Sequence, residues 1–228
     1  MNSQRIRLWD LPTRLFHWLL VLCVATALVS GQIGGKLIEL HGKIGLVIVG
    51  LLTFRLVWGF IGSTYSRFAQ FFPTMAKIRA YRKGEWRGVG HNPMGALSVF
   101  GLIFLITVQV LSGLFANDDI SFVGPLYGLI GKSLSDRLTG IHELFSNAVI
   151  ALVVLHVGAI VFYVRVRKQN LVRPMLTGWK DDESGESAKG GSLIALVFAL
   201  MVAGATLYGA SGIWLPELPP AAVETPRW

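Results

Sequence analysis

Five runs of apolar residues, near 15–33, 39–61, 94–116, 139–163 and 192–213, constrain this chain more than anything else in it. A helix needs about 20 apolar residues to cross the hydrocarbon core, and lipid offers no partner to an unpaired backbone group, so each run reads as a membrane-spanning helix. Charged residues make up only 15% of the 228, whereas soluble domains carry about a quarter, and the mean hydropathy is +0.56. The expected fold class is an all-α integral membrane bundle of four helices plus a fifth. The first, second and fourth runs carry histidines; the fifth holds Gly204, Gly209 and Gly212 and ends at Trp214 and Pro216. Residues 1–180 form the expected core unit, and 181–228 an acidic linker, the fifth helix and an external tail.

Basic residues fall unevenly between these runs. Arg5, Arg7 and Arg14 precede the first, six lie in 62–93 and six in 164–191, while the alternate segments hold only Lys36, Lys132, Arg137 and Arg227. Basic loops stay on the cytoplasmic side, so the N-terminus is expected inside and the C-terminus outside, in a bacterial inner membrane. The net charge of +8 then belongs to topology, which argues against nucleic acid as a partner and for contact with membrane lipid. No small-residue cleavage site follows the first run, which reads as a retained signal anchor. The loop 62–93 reads as an amphipathic helix on the anionic leaflet or as a solvated basic loop. The stretch Asp181-Asp182-Glu183-Ser184-Gly185-Glu186 reads as a flexible acidic linker.

His17, His41, His142 and His156 fall inside these runs or at their edges, where a polar side chain is costly and has a partner or a function. His142 and His156 share the fourth helix; fourteen residues separate them by about 21 Å along the axis and return them to within about 40° of one face. With alternating helix directions, His17 meets His156 at the cytoplasmic depth and His41 meets His142 at the external one. Two imidazoles facing each other at each of two depths is the arrangement that two stacked six-coordinate haems require. An isolated membrane histidine is more often an interhelical hydrogen bonder, but a matched set of four is not isolated. A proton relay usually recruits intramembrane carboxylates, and Glu143 is the only one near a span interior. Zinc and copper need a third ligand at each depth, and the single cysteine, Cys23, builds neither a disulfide nor an iron–sulfur site. Glycines Gly31, Gly42, Gly45, Gly101, Gly113 and Gly140 lie along the same spans, consistent with a flat macrocycle or with close helices.

The segments Trp9-Asp10-Leu11-Pro12-Thr13-Arg14-Leu15-Phe16-His17-Trp18, His41-Gly42-Lys43-Ile44-Gly45, Phe54-Arg55-Leu56-Val57-Trp58-Gly59, His91-Asn92-Pro93-Met94-Gly95 and Ile141-His142-Glu143 through His156 resemble the bacterial cytochrome b561 family, related to the cytochrome b subunits of nickel–iron hydrogenases. The resemblance runs to about Gly178. It implies a four-helix core with two non-covalent haem b groups, His17, His41, His142 and His156 as axial ligands, and electron exchange with quinone (ubiquinone or menaquinone) or a redox partner such as a periplasmic c-type cytochrome or a hydrogenase. The fifth span departs from the simplest members. Self-association into a homo-oligomer stays open. So do two other functions: a stand-alone oxidoreductase that oxidises a small reductant such as superoxide at the outer haem and reduces quinone, and a non-redox membrane transporter or anchor.

Arg55, in the inner half of the second span, either pairs with a haem propionate or snorkels to the interface. Arg14, one turn before His17, poses the same question, and Lys43 is its external counterpart. In the His91-Asn92-Pro93 segment, Asn92 and Pro93 suit a helix start. His91 itself either belongs to that cap or meets a quinone headgroup. Asn117, Asp118 and Asp119 form an external acidic cluster that either steers a basic partner or is solvated.

Overall fold

The computed structural model describes residues 4–120, 122–182 and 185–216, with backbone alone at Gln4 and Asp182. Glu183, Ser184 and Arg227 lie outside the described residues. Strand β1 (Gln4–Arg7) leads into α1 (Leu11–Ile33) and, after one turn of 3-10 helix, α2 (Ile38–Ile61). Asp10 caps α1: its Oδ1 accepts from the Thr13 backbone N–H at 2.7 Å, with Pro12 in the first turn. Its Oδ2 accepts from the Trp58 indole at 3.0 Å. One buried carboxylate therefore fastens the start of α1 to the end of α2.

The basic loop that follows contains α3 (Phe68–Phe71) and α4 (Met75–Arg82), the latter capped by Thr74, whose hydroxyl accepts from Lys77 N–H at 3.3 Å. Helix α5 (Pro93–Gly113) starts as its sequence suggests, Asn92 Oδ1 accepting from Gly95 N–H at 2.7 Å. Helix α6 (Lys132–Arg165) begins well before the expected 139. Its 34 residues span about 50 Å, so it overruns a hydrocarbon core of about 30 Å. Its polar first turns are held by Asn117, whose amide donates to Ser135 Oγ at 2.6 Å and to Asp136 at 3.0 Å. Asp118 Oδ1 accepts from the backbone of Ile120 and Phe122, and Asp119 pairs with Lys132 at 2.6 Å. The acidic cluster is thus engaged in building its own loop.

Helix α7 (Val172–Thr177) and strand β2 (Trp179–Asp182) precede α8 (Leu193–Ala210). β2 pairs antiparallel with β1, Arg7 opposite Trp179 and Arg5 opposite Asp181. The supposed acidic linker therefore starts inside a ribbon, because the backbone of the N-terminal arm needs hydrogen-bond partners that this stretch supplies. Beyond it, Ala188 N–H donates to Arg7 and Thr64 N–H to Lys189, and Gly191 at φ +71° passes where a Cβ would sit 3.0 Å from the Trp58 ring. Besides this ribbon, the described residues form isolated β-bridges between Ser63 and Gly190 and between Asn117 and Val123.

Among the described residues five helices are long and apolar enough to cross a membrane, and the protein is a multi-pass membrane protein. Side chains such as Leu22, Phe104, Leu155 and Ile194 face outward, as lipid requires. Helix α2 packs against α1, α5 and α8, while α6 packs along α5 and stands off from α1 and α2. The core between them is Cys23, Ile48, Val49, Leu52, Ile106, Val110 and Val149. Ala199 and Ala203 of α8 lie against Phe16, Phe54 and Trp58, small residues allowing close approach. The N-terminal arm, 62–93 and 164–191 carry most of the basic residues and lie together, so the bundle has a basic end, where β1, α4 and α7 lie, and a far end, where Asn117 lies.

Candidate paired-histidine sites

At the far end, His41 opens α2 and His142 lies on α6, with ring centroids 5.8 Å apart and planes at 84°. His41 Nδ1 donates to the Ala27 carbonyl of α1 at 2.9 Å, and His142 Nδ1 donates to the Gln109 carbonyl of α5 at 2.8 Å. A carbonyl only accepts, so each Nδ1 carries the proton and each Nε2 keeps its lone pair. The two bonds have the same local construction. Four residues after each carbonyl stands a glycine, Gly31 or Gly113, whose Cβ would lie 3.0 Å from His41 Cε1 or 2.8 Å from His142 Cε1. Each imidazole therefore fills a notch that any other residue would narrow.

Between the rings opens a cavity of about 530 Å³, walled by Val24, Leu28, Ile106, Val110 and Val149 and rimmed by Glu143 and Asn147. That is within the usual range of about 300–1,000 Å³ for a cofactor site. Two imidazoles that share one metal ion through bonds of about 2 Å place their centroids roughly 6 Å apart. The observed pair, the free Nε2 lone pairs and the glycine notches fit a bis-imidazole haem. Phe122 closes the cavity, its ring pressed on Gly42.

At the basic end, His17 of α1 and His156 of α6 lie within electrostatic reach of each other and of His91. His156 Nδ1 is 3.1 Å from Ser98 Oγ, and His17 Nδ1 is buried without a hydrogen-bond partner. Arg55 is only 4% exposed and does not reach the surface; its guanidinium lies 4.6 Å from the centroid of the Phe68 ring with Nη1 unpartnered. Arg14 donates to the Leu176 carbonyl, and its Nε is likewise buried and unpartnered. Buried charged donors without acceptors are costly, and a cofactor carrying carboxylates would satisfy them. Lys43 is exposed, away from the far-end cavity.

His91 is held between Trp9 and Phe71, centroids 4.6 Å from each, and its Nδ1 has no partner. Asn92, not His91, supplies the cap of α5. His91 instead lines a second, smaller cavity of about 200 Å³ with Tyr65, Phe71, Trp86 and Pro93. Burial, then the nearby charge of Arg55, pushes its pKa down to about 3, so the ring is neutral at physiological pH. An unfolded histidine titrates near 6.5. Because the folded value is the lower one, the unfolded state binds the extra proton, and stability is lost as pH falls from about 6.5 toward 3. Melting curves in detergent at stepwise lower pH should show this loss, and His91→Phe should flatten it; an unchanged slope counts against a neutral buried His91.

Sequence spacing alone leads to the four histidines. It does not lead to the Asp10–Trp58 bond, although Asp followed by Pro before an apolar run signals a cap. Ser98 gives no signal at all, since serine on a membrane helix is common.

The family model described as prokaryotic cytochrome b561 matches residues 8–178, three quarters of the chain. The chain belongs to the prokaryotic cytochrome b561 family. As a member it is a membrane b-type cytochrome of electron transfer, and b-type haem is the cofactor the family implies. Curated relatives include the probable Ni/Fe-hydrogenase 1 B-type cytochrome subunit of Escherichia coli K12, 26% identical over 140 residues that take in 46% of this chain and 57% of that one. The probable Ni/Fe-hydrogenase B-type cytochrome subunits of Azotobacter chroococcum and Azotobacter vinelandii are each 26% identical over 223 residues, 78% of this chain and 90% of theirs. The chain thus spans little more than half the length of the Escherichia coli relative and most of the Azotobacter ones. This b561 cytochrome has α1, α2, α5 and α6, and both histidine pairs, inside the matched region, while α8 lies beyond it.

Proposed function

We propose that this cytochrome is a di-haem electron relay of the bacterial inner membrane, with His41 and His142 holding a periplasmic haem and His17 and His156 a cytoplasmic one. The observation that carries the reading is the His41–His142 pair, 5.8 Å apart at one cavity, each ring held through Nδ1 by a backbone carbonyl that leaves Nε2 unprotonated. Bound haem b supplies a one-electron ferric–ferrous couple. The chain supplies the rest. Carbonyls of Ala27 and Gln109 fix the tautomers, Gly31 and Gly113 make room for the rings, and Arg55 and Arg14 present donors to the cofactor's carboxylates. The inner orientation of the N-terminus follows from the concentration of Lys and Arg at the basic end.

A quinone, ubiquinone or menaquinone, takes the cavity at His91, where Tyr65, Phe71 and Trp86 suit a flat ring and His91 Nδ1 is available to a quinone oxygen. The periplasmic partner is a hydrogenase, as the relatives' names suggest, or a c-type cytochrome. A pyridine haemochrome assay on purified protein should give two haem b per chain. One or none overturns the relay.

A further inference from the structure

Among the features this reading leaves over, the unequal hydrogen bonding and charge at the two histidine pairs say the most. At the far end both imidazoles donate Nδ1–H to amide carbonyls, at 2.9 and 2.8 Å, in matched glycine notches. At the basic end His156 Nδ1 is 3.1 Å from the Ser98 hydroxyl, whose far-end counterpart, Ser112 Oγ, lies 3.4 Å from His142 Nδ1 in addition to the carbonyl bond, and His17 Nδ1 has no partner. Donation to a good acceptor makes an imidazole more basic and a stronger ligand for the more oxidised metal. Fixed charge acts in the same direction. Glu143 follows His142 directly and rims the far cavity, whereas the buried guanidinium of Arg55 lies in the basic-end cluster. Asp10 is within electrostatic reach of Arg55 and offsets part of its charge, while its two oxygens accept from Thr13 N–H and Trp58 Nε1 and Arg55 Nη1 stays unpartnered. Lys43 and Glu143 are both exposed, but Glu143 lines the far cavity and Lys43 does not.

Resting on the di-haem reading, we infer that Gly31, Gly113 and Glu143 are positioning residues that hold the His41–His142 site at the lower reduction potential, while Arg55 holds the His17–His156 site at the higher one. In the half-reduced protein the single electron then resides at the basic end, beside the His91 cavity. Relay from the far end to the basic end runs downhill, whatever donor reduces the first site.

The test is a redox titration of the visible spectrum on the purified, fully haem-loaded chain, with the two sites told apart by His142→Ala and His156→Ala. The far-end component should have the lower midpoint. Glu143→Gln should raise that component alone, by about the 59 mV that corresponds to a tenfold change for one electron, with Glu143→Asp restoring it. Gly31→Ala, which crowds His41 at 3.0 Å, should shift it the same way. Arg55→Gln should lower the basic-end component alone, and Arg55→Lys should restore it. Two haems with the reverse order of midpoints, or a Glu143→Gln titration identical to wild type, overturn the inference and leave the di-haem reading standing. Fewer than two haems in the wild type overturn that reading instead. Should Arg55→Gln fail to load haem, the exposed Glu143 variants still decide the far-end assignment.

Discussion

His142→Ala is expected to halve the haem content, from two haem b per chain to one, and to remove the spectral component of the far-end site. The substitution takes away one of two facing imidazoles and leaves His41 on its Ala27 carbonyl, a single ligand in a cavity of about 530 Å³. No other histidine or cysteine lines that cavity, so nothing nearby takes the vacant role. The basic-end pair sits about 21 Å along α6, three to four helical turns away, and should keep its cofactor. His156→Ala gives the complementary loss. Haem quantified by pyridine haemochrome, with far-UV circular dichroism to show the helices intact, checks both. Two haems retained in His142→Ala would mean that the far-end pair is a hydrogen-bonded contact between helices and not a ligand set.

Asp10→Ala should destabilise the bundle by about 2 kcal/mol. Loss of a helix N-cap costs roughly 0.5–2 kcal/mol. The same change strands the Trp58 indole N–H, which is 1% exposed, and interhelical bonds of this kind in membranes average about 0.6 kcal/mol. Asp10→Asn keeps one acceptor oxygen, enough for the Thr13 cap, but its amide nitrogen cannot accept from Trp58, so it should recover only the cap's share of the loss. Denaturant titration in detergent, followed by tryptophan fluorescence, reads the difference. A neutral Asp10→Ala would show that Trp58 finds another acceptor and that the packing of Phe16, Phe54 and Ala203 alone holds this end together.

Histidines and caps announce themselves very differently in a membrane sequence. A histidine in a run such as 139–163 is conspicuous, because the surrounding lipid leaves an imidazole no cheap alternative to a partner. Spacing on one helix and alternation of helix direction then restrict the partners to His17 with His156 and His41 with His142, and the far-end rings do face one another. Arg55 was legible as unusual but not as buried: its stem is long enough to snorkel, and only the ring of Phe68 from the following loop covers it. His91 was legible as part of a helix start, and the structure separates it from the cap that Asn92 makes.

By itself the sequence determined the number of spans, their boundaries to within a few residues except at the start of α6, the basic end and the four histidines. Each of these follows from local rules: an apolar length that fits a bilayer, a basic bias between spans, and the cost of a polar group in lipid. Only the tertiary structure decided that Ala27 and Gln109 orient the rings, that Gly31 and Gly113 admit them, that Asp10 ties α1 to α2, and that the N-terminal arm pairs with Trp179–Asp182. The physical reason is that a backbone carbonyl, a missing Cβ or a free strand edge has no signature in its own stretch of chain. Which imidazole, indole or strand meets it depends on how distant helices pack.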